Sequence, residues 1–155
     1  MNMLDKRGKM SKNIEKQERY IILKSKLKKA MTIECWFEAC MIEYAIIEDR
    51  TSSILYHAGI CENAYSSSKK LSNKLSSIEY QIGKEHAIIS KKVNKEIIEQ
   101  IRCWKDKRND FVHRSCVLFD EEKAKEVAQE GLILVNKISN DSSKVMRAAE
   151  KIFNK

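Results

Sequence analysis

The sequence contains no proline and only four glycines in 155 residues. Proteins built from β-sheets need a turn at each chain reversal, and proline and glycine are the residues that favour turns most strongly. Their scarcity argues against a many-stranded fold and favours a few long helices. The length fits one domain, which can bury a core without the help of a metal or a disulfide.

The sequence also lacks the patterns that predict a disulfide framework or a membrane span. The five cysteines form no Cys-x-x-Cys pair, and their odd number fits poorly with a disulfide-bonded secreted domain. The first ten residues are charged and lack the apolar segment of a signal peptide, and no apolar run approaches the length of a bilayer span. We expect reduced thiols, cytoplasmic localisation and no membrane partner.

The positive charge of the chain is concentrated at its N-terminus. Residues 1–31 hold ten lysines and arginines against three acids, a net charge of +7 out of +8 for the whole chain. Such a segment can attract a polyanion over a distance, although exposed lysines on a helix also serve solubility alone. Charge by itself therefore does not identify a nucleic-acid-binding protein.

The first half of the chain is predicted to contain an arm and two helices. Residues 1–13 lack periodicity and are expected to form a flexible basic arm, while 14–155 form the helical domain. Residues 14–30 suggest a lysine-rich helix. Residues 32–57 are apolar on most sides of the helical wheel, which indicates a central helix, and Gly59 is suited to end it.

The second half is predicted to contain two or three more helices. Serine and lysine dominate residues 66–77, so we expect a mobile connection or a short exposed helix there. One amphipathic helix is predicted through Ile89, Val93, Ile97, Ile101 and Trp104. Acids at 120–122 begin the next helix, and 140–143 interrupt it before a last helix over 144–153. The prediction is an all-α, up-and-down bundle of four to five helices in a single domain.

Residues 107–114, with the sequence KRNDFVHR, are the one short element that combines a histidine, an arginine and two hydrogen-bonding side chains, Asn109 and Asp110. Cleavage of an RNA phosphodiester needs a base for the 2′-hydroxyl, an acid for the leaving oxygen and a fixed positive charge. Histidine exchanges protons near neutral pH, and a guanidinium binds phosphate through two parallel hydrogen bonds. This scheme requires no metal and no cofactor.

The pattern Arg-Asn-x-x-x-His formed by Arg108, Asn109 and His113 resembles the signature of the HEPN superfamily of small helical bundles. The resemblance covers roughly residues 32–138. It implies a metal-independent endoribonuclease that acts on RNA as a homodimer, with two motifs meeting in one composite active site. It also implies a role as the toxin of a toxin–antitoxin or antiphage system, with an antitoxin protein as partner.

Two other classes of function stay open. The same superfamily has members that bind without cutting, so the chain is alternatively a non-catalytic RNA- or protein-binding helical module. The third reading is a purely structural adaptor, in which Arg108 ends a helix and His113 is an ordinary histidine with its hydrogen bonds satisfied. Burial of both side chains in a closed core would favour that reading.

Seven residues are assigned supporting or RNA-binding roles beside the motif: Asp110, Lys105, Lys107, Arg114, Arg50, Glu43 and Glu48. The basic residues next to the motif suit neighbouring phosphates, with surface solvation as the alternative. Glu43 and Arg50 are seven residues apart and share a polar ribbon with His57. This ribbon either faces the site, where it orients Arg108 or contacts a phosphate, or is an exposed salt-bridge ladder. Glu48 falls within the apolar arc of its helix and therefore needs a partner.

Trp104 and Phe111 continue the apolar register of their helix, so we assign both to the core. The two remaining histidines, His57 and His86, lie in no known metal-ligand spacing, and we expect no metal site. Glycine-rich phosphate loops are absent as well, which argues against nucleotide hydrolysis of the P-loop kind.

Overall fold

A computed structural model describes the backbone of residues 3–65 and 69–153 and the side chains of residues 17–65 and 69–152. The described residues form six helices and no strand: α1 (Met3–Thr32), α2 (Trp36–His57), α3 (Leu71–Gly83), α4 (Ile89–Lys92), α5 (Lys95–Arg114) and α6 (Glu121–Phe153). They pack into one helical bundle, which confirms the all-α prediction. No described helix is both long enough and apolar enough to cross a membrane.

Helix α2 lies at the centre of the bundle, as its apolar pattern predicts. It packs mainly against α6 and also contacts α1, α3 and α5. The helix begins at Trp36. Glu34, with φ +59°, interrupts the helical conformation and so separates α2 from α1. It ends at His57, and Gly59 follows with φ +73°, the left-handed conformation that glycine adopts without strain. The predicted stop at Gly59 is confirmed.

The first helix is longer than the sequence pattern indicates. Helix α1 begins at Met3, whereas we expected a flexible arm over residues 1–13 and a helix from residue 14. Strong helix formers and the absence of proline allow a helix to continue without an apolar face. Residues 1 and 2 lie outside the described residues. Nearer its end, α1 buries Leu27 and Ala30 in the core.

The serine-rich segment is more ordered than expected. Helix α3 begins at Leu71, and the side chains of Leu71, Leu75 and Ile78 are fully buried. The prediction of a mobile or exposed element is therefore wrong for residues 71–77, while 66–68 lie outside the described residues. Apolar spacings of four and three place these side chains on one face, and their burial outweighs the serine-rich composition around them.

The helix predicted through Ile89 and Trp104 is broken in two. Val93 and Asn94 are extended, and Asn94 Oδ1 accepts a hydrogen bond of 2.9 Å from the backbone N–H of Glu96. Asparagine is among the best residues to begin a helix in this way. The break separates the short α4 from α5, although the apolar register continues across it.

Helix α6 differs from its prediction in the opposite way. Two helices separated at 140–143 were expected, but one continuous helix runs to Phe153. Asp141 Oδ2 accepts from the backbone N–H of Asn94 at 2.9 Å, and Oδ1 accepts from Lys144 Nζ at 3.0 Å. Aspartate usually competes with a helix by bonding to its own backbone, but here its carboxylate has partners elsewhere. Asp141 thereby attaches the turn between α4 and α5 to α6.

Candidate functional site

The motif formed by Arg108, Asn109 and His113 lies in the last two turns of α5. Arg108 is on the buried side of this helix, with 9% of its surface exposed, Asn109 is half-buried and His113 is exposed. The loop that follows leads into α6, where Asp120 Oδ1 accepts from the backbone N–H of Lys123 at 3.1 Å. The predicted acidic start of α6 is confirmed. It marks the end of the loop that follows the motif.

Arg108 points toward α2 and has few oxygen acceptors. Its Nη1 donates to Asn109 Oδ1 at 3.1 Å, and its Nη2 lies 2.6 Å from the thioether sulfur of Met41. Its Cζ lies 4.7 Å from the centre of the Tyr44 ring. The Nε atom has no acceptor among the described residues. Because a thioether is a weak acceptor, the buried guanidinium makes one good hydrogen bond within the described part of the chain.

His113 does not face Arg108. They are five positions apart on α5, which corresponds to about 7.5 Å along the helix axis and about 140° around it. Asn109 lies one turn before His113 on the same side and is bonded to Arg108. Within one chain, therefore, the motif presents a guanidinium on one side of the helix and an imidazole on another, with the amide between them.

Each of the three basic residues that flank the motif has an acidic partner. The pairs are Lys105 with Asp106 at 2.5 Å, Lys107 with Glu130 at 2.9 Å and Arg114 with Asp110 at 2.9 Å. The hydrogen bond from Lys107 to Glu130 raises the pKa of this lysine. Surface pairs of this kind are weak and exchange readily, so they reduce but do not prevent phosphate contacts. Asp110 serves as a partner of Arg114 and Lys123.

Two of the supporting residues on α2 lie away from the motif. Glu48 Oε1 lies 3.4 Å from Nζ of the buried Lys74 on α3, which supplies the partner that its apolar surroundings require. Arg50 pairs with the neighbouring Asp49 and lies 4.2 Å from the ring centre of Tyr20 on α1. Arg50 therefore faces α1 and does not reach Arg108.

Glu43 is fully buried between α2, α5 and α6. Neither carboxylate oxygen has a hydrogen-bond partner among the described residues, and burial raises the pKa of this group to about 9. At neutral pH the side chain is therefore protonated and uncharged. The exposed ladder through Glu43 and Arg50 is wrong, because the α2 face that looked polar in sequence turns into the core at Glu43.

Gly131 on α6 makes room for Glu43. A Cβ atom at this position would lie 2.1 Å from Glu43 Oε2 and 2.8 Å from Trp104 Cζ2. We did not single out Gly131 in the sequence, although a glycine inside a helical pattern is a signal of close packing.

Gly131→Ala is expected to destabilise the protein by about 1–3 kcal/mol, because the added methyl group meets the rigid indole of Trp104. Gly83→Ala is the matched control, since a Cβ there meets nothing within 4 Å. Urea unfolding of both variants measures the effect. Equal free energies of unfolding for Gly131→Ala and Gly83→Ala would contradict the close packing at Gly131.

An apolar surface adjoins the motif. Val117 and Leu118 are 91% and 74% exposed in the loop after α5, and Phe119 is also exposed. Phe111 connects this loop to α2, because its ring centre lies 5.8 Å from that of Phe119 and 6.0 Å from that of Phe37. We call the exposed part of this surface the apolar ridge; it consists of Phe37, Met41, Val117, Leu118 and Phe119.

The two aromatic residues assigned to the core are confirmed there. Trp104 is fully buried, and its indole N–H donates to the carbonyl of Val127 at 2.8 Å. Phe111 is also buried. In the described part of the chain, no three histidine, cysteine, aspartate or glutamate side chains are grouped so that they could hold a metal ion.

No model of a known family, no curated protein and no solved structure matches this chain. What bears on its function is therefore the geometry of the described residues, together with the resemblance carried by Arg108, Asn109 and His113.

Proposed function

We propose that the chain is a metal-independent endoribonuclease of the HEPN type that acts as a homodimer. In this proposal Arg108 binds the phosphate at the cleaved bond, His113 transfers a proton and Asn109 orients Arg108. The observation that carries the proposal is the buried guanidinium of Arg108. Its Nε has no acceptor among the described residues, and a thioether lies where an oxygen acceptor would be expected.

A buried charge with too few hydrogen bonds is costly, so a protein that keeps one usually has a use for it. Phosphate suits this site because its oxygens accept two parallel hydrogen bonds from one guanidinium. Met41, which covers Arg108, is 44% exposed and has a flexible side chain. Its movement would open the guanidinium to a phosphate without unfolding any helix.

The reaction would proceed by attack of the 2′-oxygen of RNA on the adjacent phosphorus. The new O2′–P bond forms as the P–O5′ bond breaks, and the products are a 2′,3′-cyclic phosphate and a 5′-hydroxyl. A base takes the proton of the 2′-hydroxyl, an acid gives one to the 5′-oxygen, and Arg108 stabilises the charge on the phosphoryl oxygens. Since one motif has one histidine, the second copy would supply the other proton-transfer group.

The apolar ridge supports the homodimer in this proposal. Exposed apolar surface next to a motif commonly marks an interaction site, and the ridge extends from α2 across the loop that follows the motif. A second copy docked on the ridge would cover Leu118 and bring its own motif close to the first. The wider role as a toxin with an antitoxin partner, or in phage defence, is supported by the family resemblance alone.

The burial of Arg108 favours a second candidate, a module that binds RNA or protein without cutting. A guanidinium that is 9% exposed and lies on Tyr44 has a structural contact in addition to any ligand. Burial of both Arg108 and His113 would favour a structural adaptor. Only one of the two meets this condition, because Arg108 is buried and His113 is exposed. The two candidates differ in whether the protein cleaves RNA.

The proposed function is tested with the purified protein and end-labelled single-stranded RNA in the presence of excess chelator. The parent protein is expected to produce cyclic phosphate ends. His113→Ala and Arg108→Ala are each expected to reduce the cleavage rate by about 100-fold or more, the range typical for loss of a proton-transfer group or of a charge-stabilising contact.

Arg102→Ala is the matched control, because Arg102 lies on the same helix but pairs with Glu79 at 2.6 Å. It is expected to cleave at the parent rate. Binding without cleavage by the parent protein would support the second candidate, and unchanged cleavage by the His113 variant would rule out the assignment of the site.

Leu118→Glu is expected to convert the proposed dimer into a monomer and to abolish cleavage. Two unpaired carboxylates buried at a symmetric contact would weaken association by about 100-fold or more. Ile133→Glu is the matched control, since Ile133 is an exposed isoleucine on α6 outside the ridge. Sedimentation measures the mass of each variant. A Leu118→Glu protein that is still dimeric would exclude the ridge as the interface.

A further inference from the structure

A cluster of four basic side chains lines a groove of about 400 Å³ between α4 and α6. The lining residues are Lys92, Lys144, Arg147, Ala148 and Lys151. We call it the basic groove. It lies outside the motif, and the concentration of charge in residues 1–31 gave no indication of it.

The groove is assembled by spacing along α6 and by one long-range contact. Lys144, Arg147, Ala148 and Lys151 follow one another at intervals of three, one and three, so they share an arc of about 100° on the helix. Lys92 joins them because Asp141 accepts a hydrogen bond from the backbone of Asn94 and so attaches the end of α4 to α6. The small Ala148 leaves the floor of the groove open.

Positive charge in the groove is weakly compensated. Lys92 and Lys151 have no acidic partner within the described ranges, and the Nε of Arg147 donates to the carbonyl of Ser143 at 3.3 Å. Lys144 pairs with Asp141, whose buried carboxylate also accepts from a backbone N–H. Four exposed cations thus face one carboxylate. Glu150, the next acid along α6 after Asp141, projects outside their arc.

The groove and the motif lie at opposite ends of α5. Helix α5 begins next to Asp141 and ends next to Lys123, whose Nζ lies 3.5 Å from Asp110. The rise from Lys95 to Arg108 is about 20 Å, and the rise along α6 from Lys123 to Arg147 is about 36 Å. A stacked nucleic-acid strand, at about 3.4 Å per nucleotide, covers a separation of this size with about six to eleven nucleotides.

We infer that the basic groove is a second phosphate-binding site, which holds the backbone of the RNA about six to eleven nucleotides from the bond that is cut. This inference rests on the proposed function for the identity of the ligand. An open groove lined by several flexible cations suits successive phosphates of a strand better than one enclosed anion, and such contacts are blind to base sequence. The groove would therefore select for length of RNA.

The inference is tested in the cleavage-deficient background of His113→Ala. The groove variant combines Lys92→Gln, Arg147→Gln and Lys151→Gln and keeps Lys144, because Lys144 pairs with Asp141. The control variant removes the same charge elsewhere through Lys26→Gln, Lys29→Gln and Lys84→Gln, all exposed lysines. Fluorescence anisotropy measures binding of labelled single-stranded RNA of 4 and 20 nucleotides over a range of salt concentrations.

The groove variant is expected to bind the 20-nucleotide RNA about 10-fold or more weakly. Its slope of log affinity against log salt should fall by about two, the value for three lost phosphate contacts on a single strand. The 4-nucleotide RNA is too short to reach both sites, so its binding should change much less.

Equal weakening by the groove and control variants would overturn the inference, because the effect would then come from net charge alone. Equal weakening for both RNA lengths would overturn it as well, and so would unchanged binding of the 20-nucleotide RNA by the groove variant. If the groove variant loses RNA binding but the unmutated protein cuts no RNA, the groove inference stands and the nuclease proposal fails.

Discussion

Glu43→Met is expected to stabilise the protein at pH 8 by on the order of 4 kcal/mol and by much less at pH 5. The carboxyl group of Glu43 is fully buried without a hydrogen-bond partner among the described residues, and its pKa is raised from 4.5 to about 9. Methionine has a similar length and carries no charge to desolvate. The variant therefore removes a group that must stay protonated in the folded protein.

The direction of the pH effect follows from the two pKa values. Below about pH 4.5 the carboxyl is protonated in both folded and unfolded chains, so it does not disfavour folding. Between about 4.5 and 9 it ionises only in the unfolded chain, which lowers the stability of the parent by about 1.4 kcal/mol per pH unit. Glu43→Met abolishes this slope.

Urea unfolding at pH 5, 6, 7 and 8 measures the effect. Glu43→Gln removes the same titration and should lose the same pH-dependent slope, although its amide stays unsatisfied and adds less stability. Glu99→Gln is the exposed control and should keep the pH profile of the parent. Parallel profiles for the parent and Glu43→Met would show that Glu43 has an ordinary pKa.

Arg108→Met is expected to abolish RNA cleavage while leaving the free energy of unfolding unchanged or raised by up to about 2 kcal/mol. Loss of the guanidinium removes the proposed phosphate contact. It also removes a buried charge whose Nε has no acceptor in the described part of the chain. The lost contact with Tyr44 opposes this gain, which is why the expected increase in stability is modest.

Cleavage rate and urea unfolding are measured on the same Arg108→Met preparation. Arg102→Met, on the same helix, should cleave at the parent rate because its partners are Glu79 and Ser76. Arg108→Lys keeps the charge but not the planar pair of donors, so only a part of the activity should remain. A loss of several kcal/mol in Arg108→Met would instead identify Arg108 as a structural residue.

Glu43 and Arg108 belong to one polar cluster inside the bundle. Cys40 lies near both: burial, followed by Glu43, raises the pKa of its thiol to about 12, and Arg108 opposes this rise. Two buried ionisable groups without full hydrogen bonding are an unusual feature for a core of this size. Departures of this kind tend to occur at functional sites, and this cluster includes Arg108 of the motif.

Much of the fold follows from local patterns. The all-helical class, the central position of α2, the stop at Gly59 and the core positions of Trp104 and Phe111 are set by composition, apolar spacing and glycine conformation. These features depend on residues within a few turns of one another, so they can be predicted without knowledge of the tertiary structure.

The errors occur where a distant partner overrides a local preference. Asp141 keeps α6 continuous because it bonds to Asn94, which is 47 residues earlier in the chain. Leu71 and Leu75 order a serine-rich segment by burial against the bundle. In each case the local composition favours a loop, and long-range contacts stabilise a helix instead.

The sequence alone determined which residues form the motif and that Arg108 and His113 lie on different sides of one helix, because helical geometry depends only on spacing. Tertiary structure alone decided that Arg108 is buried on Tyr44, that Glu43 lies against Gly131 and that Lys92 meets Arg147 in the basic groove. The physical reason is that burial and hydrogen bonding depend on the neighbours that packing supplies, and those neighbours come from helices far apart in the chain.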